Sequence, residues 1–208
     1  MKVLVVANDE QKEELVSGIS GEMDLEWINS PEDYKGTDLF DACFDLLFES
    51  SRERISLLKT KASMVIINSV VTPLTGIEED IVRINGWNTF LKRPVVEATA
   101  SNDSLKEKAE QLFSGFGKKT EWVPDIPGLV TARVIASVVN EAYFALEQEV
   151  SSKEEMDIAM KMGTNYPYGP FEWSEKIGLK NIYALLSRLS EEQKRYEPAA
   201  LLTKEALA

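Results

Sequence analysis

Over its first 123 residues the chain alternates between short apolar runs rich in β-forming residues and segments with helical periodicity. Because such alternation is typical of helices covering the faces of a sheet, it predicts a layered α/β domain. Asn102 is the predicted cap of the last helix, which should end at Gly115 and Gly117. The predicted strands cover 2–7, 24–28, 42–48, 63–68, 82–86, 94–99 and 120–123, and the predicted helices cover 9–18, 50–61 and 103–116.

A different pattern begins at segment 124–128, beyond which the β-alternation disappears. A long helix is predicted to begin at Pro127 or Gly128, since proline is tolerated in a first turn and Asp125 can accept hydrogen bonds from free N–H groups there. The apolar positions of this helix form a stripe too broad for one surface groove. We therefore predict that it lies at the centre of a helical domain.

Shorter helices are predicted to follow. Ser151 and Glu154 fit a capping box that opens a second helix, and Gly163 is placed to end it. Segment 166–170 contains two prolines and a glycine, so it should be irregular. The patterns at 171–177, 181–189 and 199–208 are those of short helices. The sequence thus predicts an α/β domain at 1–123 followed by an all-α domain at 124–208.

The formal net charge of -12 argues against two classes of partner. Nucleic acids and anionic lipids select for Lys/Arg-rich surfaces, so neither is expected to bind. Other polyanionic ligands are also weakly disfavoured, with Lys92-Arg93 and Lys118-Lys119 as candidate basic patches and solvated surface as the alternative. No apolar run approaches the roughly 20 residues that span a bilayer, so we expect no membrane association and a cytoplasmic protein.

Metal-binding side chains are scarce. The chain has no histidine and one cysteine, Cys43, in the apolar run 42–48. No spacing of metal ligands can therefore be recognised, and the thiol is predicted to be a passive core group.

Segments 125–173 and 195–202 together carry a long ordered pattern of glycines, prolines and aromatic residues. It resembles the C-terminal domain of 3-hydroxyacyl-CoA dehydrogenases over roughly 124–202. The resemblance implies a truncated Rossmann-like sheet domain followed by an all-α domain of the 3-hydroxyacyl-CoA dehydrogenase C-terminal type. It also implies NAD as cofactor, a role in fatty-acid metabolism and dimerisation through the helical domain. The matching residues are Asp125-Ile126-Pro127-Gly128, Arg133-Val134, Asn140-Glu141-Ala142, Met162-Gly163-Thr164-Asn165-Tyr166-Pro167-Tyr168-Gly169-Pro170-Phe171-Glu172-Trp173, Arg195-Tyr196-Glu197-Pro198 and Leu201-Leu202.

The same resemblance implies positions for the catalytic and substrate-binding groups. In the family a histidine takes the hydroxyl proton and a glutamate holds that histidine. Here Glu97 stands at the glutamate position and Asn88 at the apparent histidine position. Ile67-Asn68-Ser69 resembles a strand end that helps to bind substrate in the family, so the resemblance implies Asn68 and Ser69 as substrate-binding residues.

The chemistry of the family needs a base whose pKa lies near neutral, which imidazole supplies without special tuning. An asparagine cannot accept a proton at pH 7, so Asn88 should lower the rate by a factor of about 100 to 10,000. Val70 and Ala132 replace a serine and an asparagine of the family and remove two further polar contacts. We therefore expect little or no turnover.

Each of these residues also has a structural interpretation. Glu97 fits an exposed or ion-paired carboxylate at the end of a strand, and Asn68-Ser69 fits a loop-forming pair. Arg133 and Glu141 are predicted to belong to buried or interface ion pairs. The aromatic residues of segment 166–173 either line a ligand cleft or pack against the sheet domain or a second subunit.

The predicted cofactor loop departs from the dinucleotide-binding pattern. A Gly-x-Gly-x-x-Gly turn is expected after the first strand, but the chain has Asn8-Asp9-Glu10-Gln11-Lys12-Glu13. This segment has no glycine and adds three carboxylates, which suit a free helix N-terminus better than a pyrophosphate. No cofactor is therefore expected, and NAD is suggested by the resemblance alone.

These observations favour a degenerate 3-hydroxyacyl-CoA dehydrogenase-like protein with an interaction, regulatory or acyl-CoA-binding role. It would form a homodimer through the helical domain or a mixed dimer with an active relative. One alternative is an active NAD-dependent 3-hydroxyacyl-CoA dehydrogenase whose site is unusual or completed by a partner chain. Another is a dimerisation scaffold that binds no ligand.

Overall fold

The chain divides into two compact units, Met1–Leu129 and Val130–Ala208. The computed structural model describes residues 1–19, 22–77 and 80–208. The division falls after Leu129, whereas the predicted boundary follows residue 123. Segment 124–129 groups with the first unit, where Arg83 donates hydrogen bonds to the Asp125 carboxylate at 2.7 Å and to the Ile126 carbonyl at 3.0 Å.

The described part of the first unit contains a seven-stranded sheet. Its strands are β1 Lys2–Val6, β2 Asp24–Ile28, β3 Ala42–Asp45, β4 Val65–Asn68, β5 Val82–Ile84, β6 Val95–Ala100 and β7 Lys119–Trp122. Their order is β2-β1-β3-β4-β5-β6-β7, and every neighbouring pair is parallel except β5 and β6. Each strand coincides with a predicted one, so the predicted α/β class is confirmed.

Helices cover both faces of this sheet. They are α1 Asp9–Val16, α2 Arg52–Lys61 and α3 Asp103–Gly115. Buried side chains of α1 and α3 share one apolar cluster with alternate residues of the strands, and α2 contributes to a second cluster with the remaining alternate residues. Phe44 illustrates the packing, because its ring meets those of Phe113 and Phe116 edge-on at 5.8 and 5.3 Å between centroids.

The first helix of the second unit, α4, spans Thr131–Glu147 and so begins later than predicted. Asp125 does not cap it, because the Asp125 carboxylate accepts hydrogen bonds from the N–H groups of Leu74 and Thr75 as well as from Arg83. Gly128 at φ 82° and Leu129 at φ 49° have left-handed backbone conformations. Such conformations interrupt a right-handed helix, so α4 starts beyond them.

The other helices of the second unit are α5 Lys153–Thr164, α6 Pro170–Ile177, α7 Leu179–Ser190 and α8 Ala200–Ala206. Helix α4 packs against α6, α7 and α8, as its broad apolar stripe predicts. The capping box of α5 uses Ser152 and Glu155, one residue later than predicted. Gly163 does not end α5, because the left-handed residue after the helix is Asn165 at φ 57°.

Two buried polar side chains hold neighbouring segments of this unit together. Asn140 donates to the Glu197 carbonyl and accepts from the Ala199 N–H, both at 2.9 Å, and so holds the chain before α8 against α4. Asp157 accepts from the N–H groups of Phe171 and Glu172 at 2.8 and 3.2 Å. These bonds satisfy free donors at the start of α6 and fix its position beside α5.

No helix in the described ranges is both long and apolar enough to span a bilayer.

Candidate functional site at the carboxyl ends of the strands

The carboxyl ends of β1, β3, β4 and β5 meet at one edge of the sheet. The strand order reverses between β1 and β3, because β2 pairs with one side of β1 and β3 with the other. In open α/β sheets, ligands bind in the crevice outside the strand ends at such a reversal. This edge is therefore the candidate site of the first unit.

The side chain of Gln11 in α1 connects the helix to the end of β3 at this edge. Asn8 and Gln11 form a capping box, in which the Gln11 N–H donates to Asn8 Oδ1 at 2.9 Å and the Asn8 N–H donates to Gln11 Oε1 at 3.2 Å. Gln11 is only 5% exposed, and its Nε2 donates to the carbonyl of Leu46 at 3.0 Å. The amide of Gln11 thus connects α1 to the end of β3 at the strand-order reversal.

Asn68, a predicted substrate-binding residue, forms a second bridge at the strand ends. Its Nδ2 donates to the Leu46 carbonyl at 3.1 Å, and its Oδ1 accepts from the Gly86 N–H at 2.9 Å. The neighbouring Ser69 is buried and donates through Oγ to the Thr72 carbonyl at 2.9 Å. Both side chains hold loops at the carboxyl ends of the strands, and their role in substrate binding stays a prediction.

Asn88, the residue at the apparent histidine position, lies in the turn after β5 and contacts α1. Its Nδ2 donates to Glu10 Oε2 at 2.8 Å. The next residue, Thr89, donates its N–H to both carboxylate oxygens of Glu14 at 2.6 and 2.8 Å. Two acids of α1, one in its first turn and one in its last, therefore hold the turn after β5 against the helix.

Thr89 has φ 78°, which is strained for a β-branched residue by about 1–3 kcal/mol. The bonds from its N–H to Glu14 stabilise this conformation. Burial raises the pKa of Glu14 above its ordinary value of 4.5, and the N–H groups of Thr89 and Leu91 oppose that shift. The Glu14 carboxylate is thus partly desolvated where it accepts the hydrogen bonds that hold the turn.

Glu97 lies in β6 and is half-buried. The residue opposite it in the antiparallel pair is Asn85, whose N–H donates to the Glu97 carbonyl at 3.2 Å. Asn85 is only 2% exposed, and its Nδ2 has no hydrogen-bond acceptor among the described residues. Directly opposed residues project from the same face of a sheet. The assignment of Asn88 to the histidine position stays a prediction. In the structure the residue opposite Glu97 is Asn85.

The sequence did not predict three of the residues at this edge as site residues: Asn85, Glu14 and the buried Arg83. Arg83 donates to the carbonyls of Ser69 and Val70 in addition to segment 125–126. Burial lowers the pKa of Arg83, and the nearby Asp125 opposes that shift. The sequence signal for the buried Arg83 is a charged residue inside the apolar run 81–84.

A buried ion pair lies at the end of β3. Asp45 is fully buried and accepts two hydrogen bonds from Arg54 of α2, at 2.6 and 2.8 Å. Burial raises the pKa of Asp45, and the guanidinium of Arg54 opposes that shift. This pair anchors α2 to the sheet beside the Gln11 bridge.

The predicted basic patch at Lys118-Lys119 is not a surface cluster. Lys118 is 5% exposed and donates through Nζ to the carbonyls of Leu91 and Arg93. Its neighbour Lys119 forms an ion pair with Glu121 at 2.6 Å. The cationic groups of both lysines therefore have partners within the first unit.

Arg133 and Glu141 of α4 form no ion pair with any residue in the described ranges, and the predicted interface ion pair stays a prediction. Glu141 is exposed to solvent. The Arg133 guanidinium instead lies over the ring of Tyr196, 5.2 Å from its centroid. In segment 166–173, Trp173 is buried and packs edge-on against Tyr168 at 4.9 Å, so this aromatic pair contributes to the core of the helical unit.

Cys43 is buried in the sheet, and burial raises the pKa of its thiol strongly. The described residues contain no group of three or more acidic, cysteine or histidine side chains placed to hold a metal ion.

Comparison with known proteins identifies relatives of both the sequence and the fold. Residues 128–208 match the family model described as 3-hydroxyacyl-CoA dehydrogenase, C-terminal domain. The chain is 36% identical over 115 residues to 3-hydroxyadipyl-CoA dehydrogenase of Escherichia coli strain K12, an alignment that covers 54% of this chain and 24% of that protein. It is 29% identical over 167 residues to 3-hydroxybutyryl-CoA dehydrogenase of Clostridioides difficile, which covers 77% of this chain and 58% of that protein. The chain therefore spans only part of the length of these curated relatives.

The similarity in fold to solved structures also includes the first unit. The chain superposes on the crystal structure of (S)-3-hydroxybutyryl-CoA dehydrogenase PaaH1 from Ralstonia eutropha with a TM-score of 0.75 and 19% identity. The match covers 98% of this chain and 92% of that chain. The Rossmann-like sheet and the helices that follow it are thus shared with this solved structure.

Proposed function

The chain belongs to the 3-hydroxyacyl-CoA dehydrogenase family through residues 128–208, and from this premise we propose that it is a catalytically degenerate member. In this proposal it does not bind NAD and does not turn over. It acts as an interaction or regulatory protein, with acyl-CoA as a candidate ligand. The observation that carries the proposal is the Gln11 bridge at the strand-order reversal.

The Gln11 bridge supports the loss of cofactor binding on steric grounds. A dinucleotide-binding turn uses glycines so that the backbone can approach the pyrophosphate and the helix N–H groups can bind it. Here the N–H of Gln11 already donates to Asn8, and the side chain of Gln11 reaches across to Leu46. A pyrophosphate at this helix end would have to displace both interactions.

The charges of α1 support the same conclusion. Asp9 and Glu10 lie in the first turn of the helix, where a pyrophosphate would bring two further negative charges. Each pair of like charges at about 4 Å repels by roughly 1 kcal/mol in water, and by about 4 kcal/mol at an intermediate effective dielectric. Glu10 is held in place by its hydrogen bond from Asn88, so it cannot turn away without losing that bond.

The loss of catalysis rests on the groups beside Glu97. Neither Asn85 nor Asn88 can accept a proton near pH 7, and the 208 residues contain no histidine that could replace them. The residue opposite Glu97, whose carboxylate would orient a base in the family reaction, is therefore an asparagine, Asn85. Because general acid–base catalysis supplies a factor of about 100 to 10,000, the dehydrogenase reaction should be undetectable.

The interaction role rests on the surface of the helical unit. Val134, Ile158 and Met162 are exposed by 49, 57 and 84%. An apolar groove between α4 and α5 adds to this surface. Exposed apolar surface of this kind marks protein interaction sites. We propose that it pairs with a second copy of the chain, or with the matching surface of an active relative. The residues lining the groove are Val138, Glu141, Ala142, Ala145, Met156, Ala159, Met160 and Pro170.

One observation favours the active alternative. Glu97 lies opposite Asn85 at the end of β5. A carboxylate at this position could orient an acid–base group placed beside it. A base supplied by a partner chain could use it, and the protein would then be a partner-completed NAD-dependent dehydrogenase of fatty-acid metabolism.

The two proposals separate in one assay. Purified protein mixed with NADH and acetoacetyl-CoA should show constant absorbance in the near-ultraviolet band of NADH if the chain is degenerate. A steady fall in absorbance contradicts degeneracy. For a site completed by a partner chain, the same assay is run with an active relative added, and a rate above that of the relative alone supports the active alternative. Thermal unfolding with each CoA thioester then separates a ligand-binding protein from a scaffold, because a ligand at 100 times its Kd adds about 2.7 kcal/mol of stability.

A further inference from the structure

The strand β2 has backbone hydrogen-bonding groups that no described residue uses. It lies at one end of the sheet order, and its strand partner in the described part of the chain is β1 alone. Asp24 and Ile28 bond to the β1 side, Asp24 through its N–H at 3.0 Å and Ile28 through its carbonyl at 3.2 Å. Because alternate residues of a strand bond to opposite sides, Leu25 and Trp27 direct their N–H and carbonyl groups away from β1.

The second strand of a classic dinucleotide-binding sheet is not an edge strand. The strand order of that sheet is 3-2-1-4-5-6, so the second strand has a neighbour on each side. Here β2 has β1 on one side and no described strand on the other. Every residue of β2 is at least partly exposed, whereas β3 on the other side of β1 is fully buried. The outer side of β2 is therefore a position that a further strand would fill.

The two edges of the sheet differ in their protection. Natural sheets commonly protect an edge with lysines, prolines or bulges, which discourage another strand from pairing there. At the opposite edge, β7 carries the exposed ion pair of Lys119 and Glu121 at 2.6 Å. By contrast, β2 has neither lysine nor proline. Three of its five residues are apolar and only partly buried: Leu25, Trp27 and Ile28. The β2 edge is thus the one that remains open to another strand.

The charge around β2 indicates what kind of strand fits there. Residues 22–33 include no lysine or arginine and five acids: Glu22, Asp24, Glu26, Glu32 and Asp33. Glu26 lies at the centre of β2 and has no ion-pair partner among the described residues. Opposite charges on directly opposed residues stabilise a pair of strands. A strand at this edge should therefore carry a lysine or an arginine opposite Glu26.

A second copy of the chain does not meet this requirement. Antiparallel pairing of two β2 strands over their full length would place Glu26 opposite Glu26 of the second copy. Like charges directly opposite one another destabilise a strand pair. Each copy also has a net charge of -12, which adds repulsion between the chains. The charges therefore favour a different, basic partner at this edge.

We propose that the outer side of β2 binds an extended basic segment of another protein, which adds a strand to the seven-stranded sheet. The backbone of that segment exchanges hydrogen bonds with Leu25 and Trp27, and a lysine or arginine side chain lies opposite Glu26. Strand addition takes its affinity from main-chain hydrogen bonds and its specificity from alternate side chains. This surface belongs to the first unit and differs from the apolar surface of the helical unit.

The test is a titration of the full ¹⁵N-labelled chain with the peptide acetyl-Thr-Val-Lys-Val-Thr-amide. In an antiparallel arrangement its valines lie opposite Leu25 and Trp27, and its lysine lies opposite Glu26. The N–H signals of Leu25 and Trp27 in NMR spectra report the new hydrogen bonds. Saturable downfield shifts of both signals are expected, with a Kd at or below about 1 mM.

Two control peptides separate strand addition from general attraction between charges. The peptide acetyl-Thr-Val-Glu-Val-Thr-amide should bind at least about fivefold more weakly, because its glutamate would lie opposite Glu26. A version of the basic peptide with N-methylated valines keeps the lysine but loses the donors for the carbonyls of Leu25 and Trp27. It should give no saturable shift of the two N–H signals.

Charge reversal at Glu26 tests the predicted side-chain pair. Glu26→Lys should reverse the preference, so that the acidic peptide binds at least about threefold more tightly than the basic one. Glu121→Lys makes the same change on β7, six strand spacings of about 4.8 Å away, and should leave binding of the basic peptide within about twofold. If Glu26→Lys fails to fold, Glu26→Gln should weaken binding of the basic peptide by about two- to fivefold.

Several outcomes would overturn the proposal. These are an absence of shifts at Leu25 and Trp27, equal binding of either control peptide, an unchanged preference in Glu26→Lys, and equal weakening by Glu121→Lys. Shifts of the same two signals when the chain is concentrated without peptide would assign the edge to a second copy and would also overturn it.

Discussion

Asn85 lies directly opposite Glu97 across the antiparallel pair β5–β6, with its N–H donating to the Glu97 carbonyl at 3.2 Å. Opposed residues of such a pair project from one face of the sheet, with Cβ atoms about 4.5–5.5 Å apart. A carboxylate that could orient a base is thus kept beside an amide that cannot act as one. Gln11 and Asn68 also donate hydrogen bonds to the Leu46 carbonyl at these strand ends.

Asn85→His should not restore NADH-dependent reduction of acetoacetyl-CoA. The variant places an imidazole opposite Glu97, but it leaves unchanged the hydrogen bonds of Gln11 and Glu10 that, in the proposed function, prevent NAD from binding. The absorbance of NADH should stay constant over time. Asn29→His, at an exposed position, controls for a histidine elsewhere. Turnover by Asn85→His alone would show that the cofactor site is intact.

Gln11→Ala should lower the free energy of unfolding by about 1–2 kcal/mol, because it removes one half of a capping box and a buried hydrogen bond to Leu46. Urea unfolding followed by circular dichroism measures the change. Gln148→Ala, at an exposed position after α4, should change stability by less than about 0.5 kcal/mol. Equal effects of the two substitutions would mean that the Gln11 bridge does not stabilise the folded protein.

Gly169→Ala should destabilise the protein by about 1–3 kcal/mol, the usual cost of overpacking. A Cβ at this position would lie 2.2 Å from Asp157 Oδ1 and 2.3 Å from the Asp157 Cα. Gly163→Ala provides the matched control, since a Cβ there meets nothing within 4 Å and the residue lies inside α5. That control should stabilise the protein by about 0.5–1 kcal/mol. Thermal or urea unfolding that ranks the two variants in the opposite order would contradict the packing of Asp157 against α6.

Glu14→Gln should change the dependence of stability on pH. A carboxyl whose pKa is raised by folding favours the folded state when protonated and opposes it when ionised. The contribution of Glu14 is therefore largest below its ordinary value of 4.5 and falls as pH rises through the higher folded value. The stability of the variant relative to the unsubstituted protein should accordingly increase from about pH 4 to about pH 7.

Urea unfolding at both pH values measures this difference. Glu13→Gln, at the exposed neighbouring position, controls for the removal of one negative charge. A relative stability of Glu14→Gln that falls between the two pH values would contradict the desolvation of Glu14.

The strands and most helices could be predicted because their signals are local. Most strands contain a short apolar run, and the cap of α3, Asn102, accepts a hydrogen bond from a residue only three positions away, Leu105. The start of α4 could not be found in this way. Its predicted cap, Asp125, binds Arg83 at a separation of 42 residues, and no local pattern reveals that pair.

The features of the candidate site could likewise be predicted only where their signals are local in the sequence. The absence of histidine and of a glycine-rich turn could be seen directly in the sequence, whereas the pairing of Asn85 with Glu97 depends on the antiparallel register of β5 and β6. The bridges from Glu10 and Glu14 to the turn after β5 span 78 and 75 residues. Glu10, which the sequence pattern assigned only to the helix N-terminus, thus also holds this turn, together with Glu14.

The most direct test of the account is an equilibrium titration of the purified chain with NADH, measured by calorimetry and by NADH fluorescence. We predict no saturable heat and no change in fluorescence up to about 1 mM NADH, a concentration at which a Kd of 1 mM would already give half occupancy. Saturable binding of one NADH per chain, weakened by substitutions at the start of α1, would contradict the claim that Gln11 and its neighbours have closed the cofactor site.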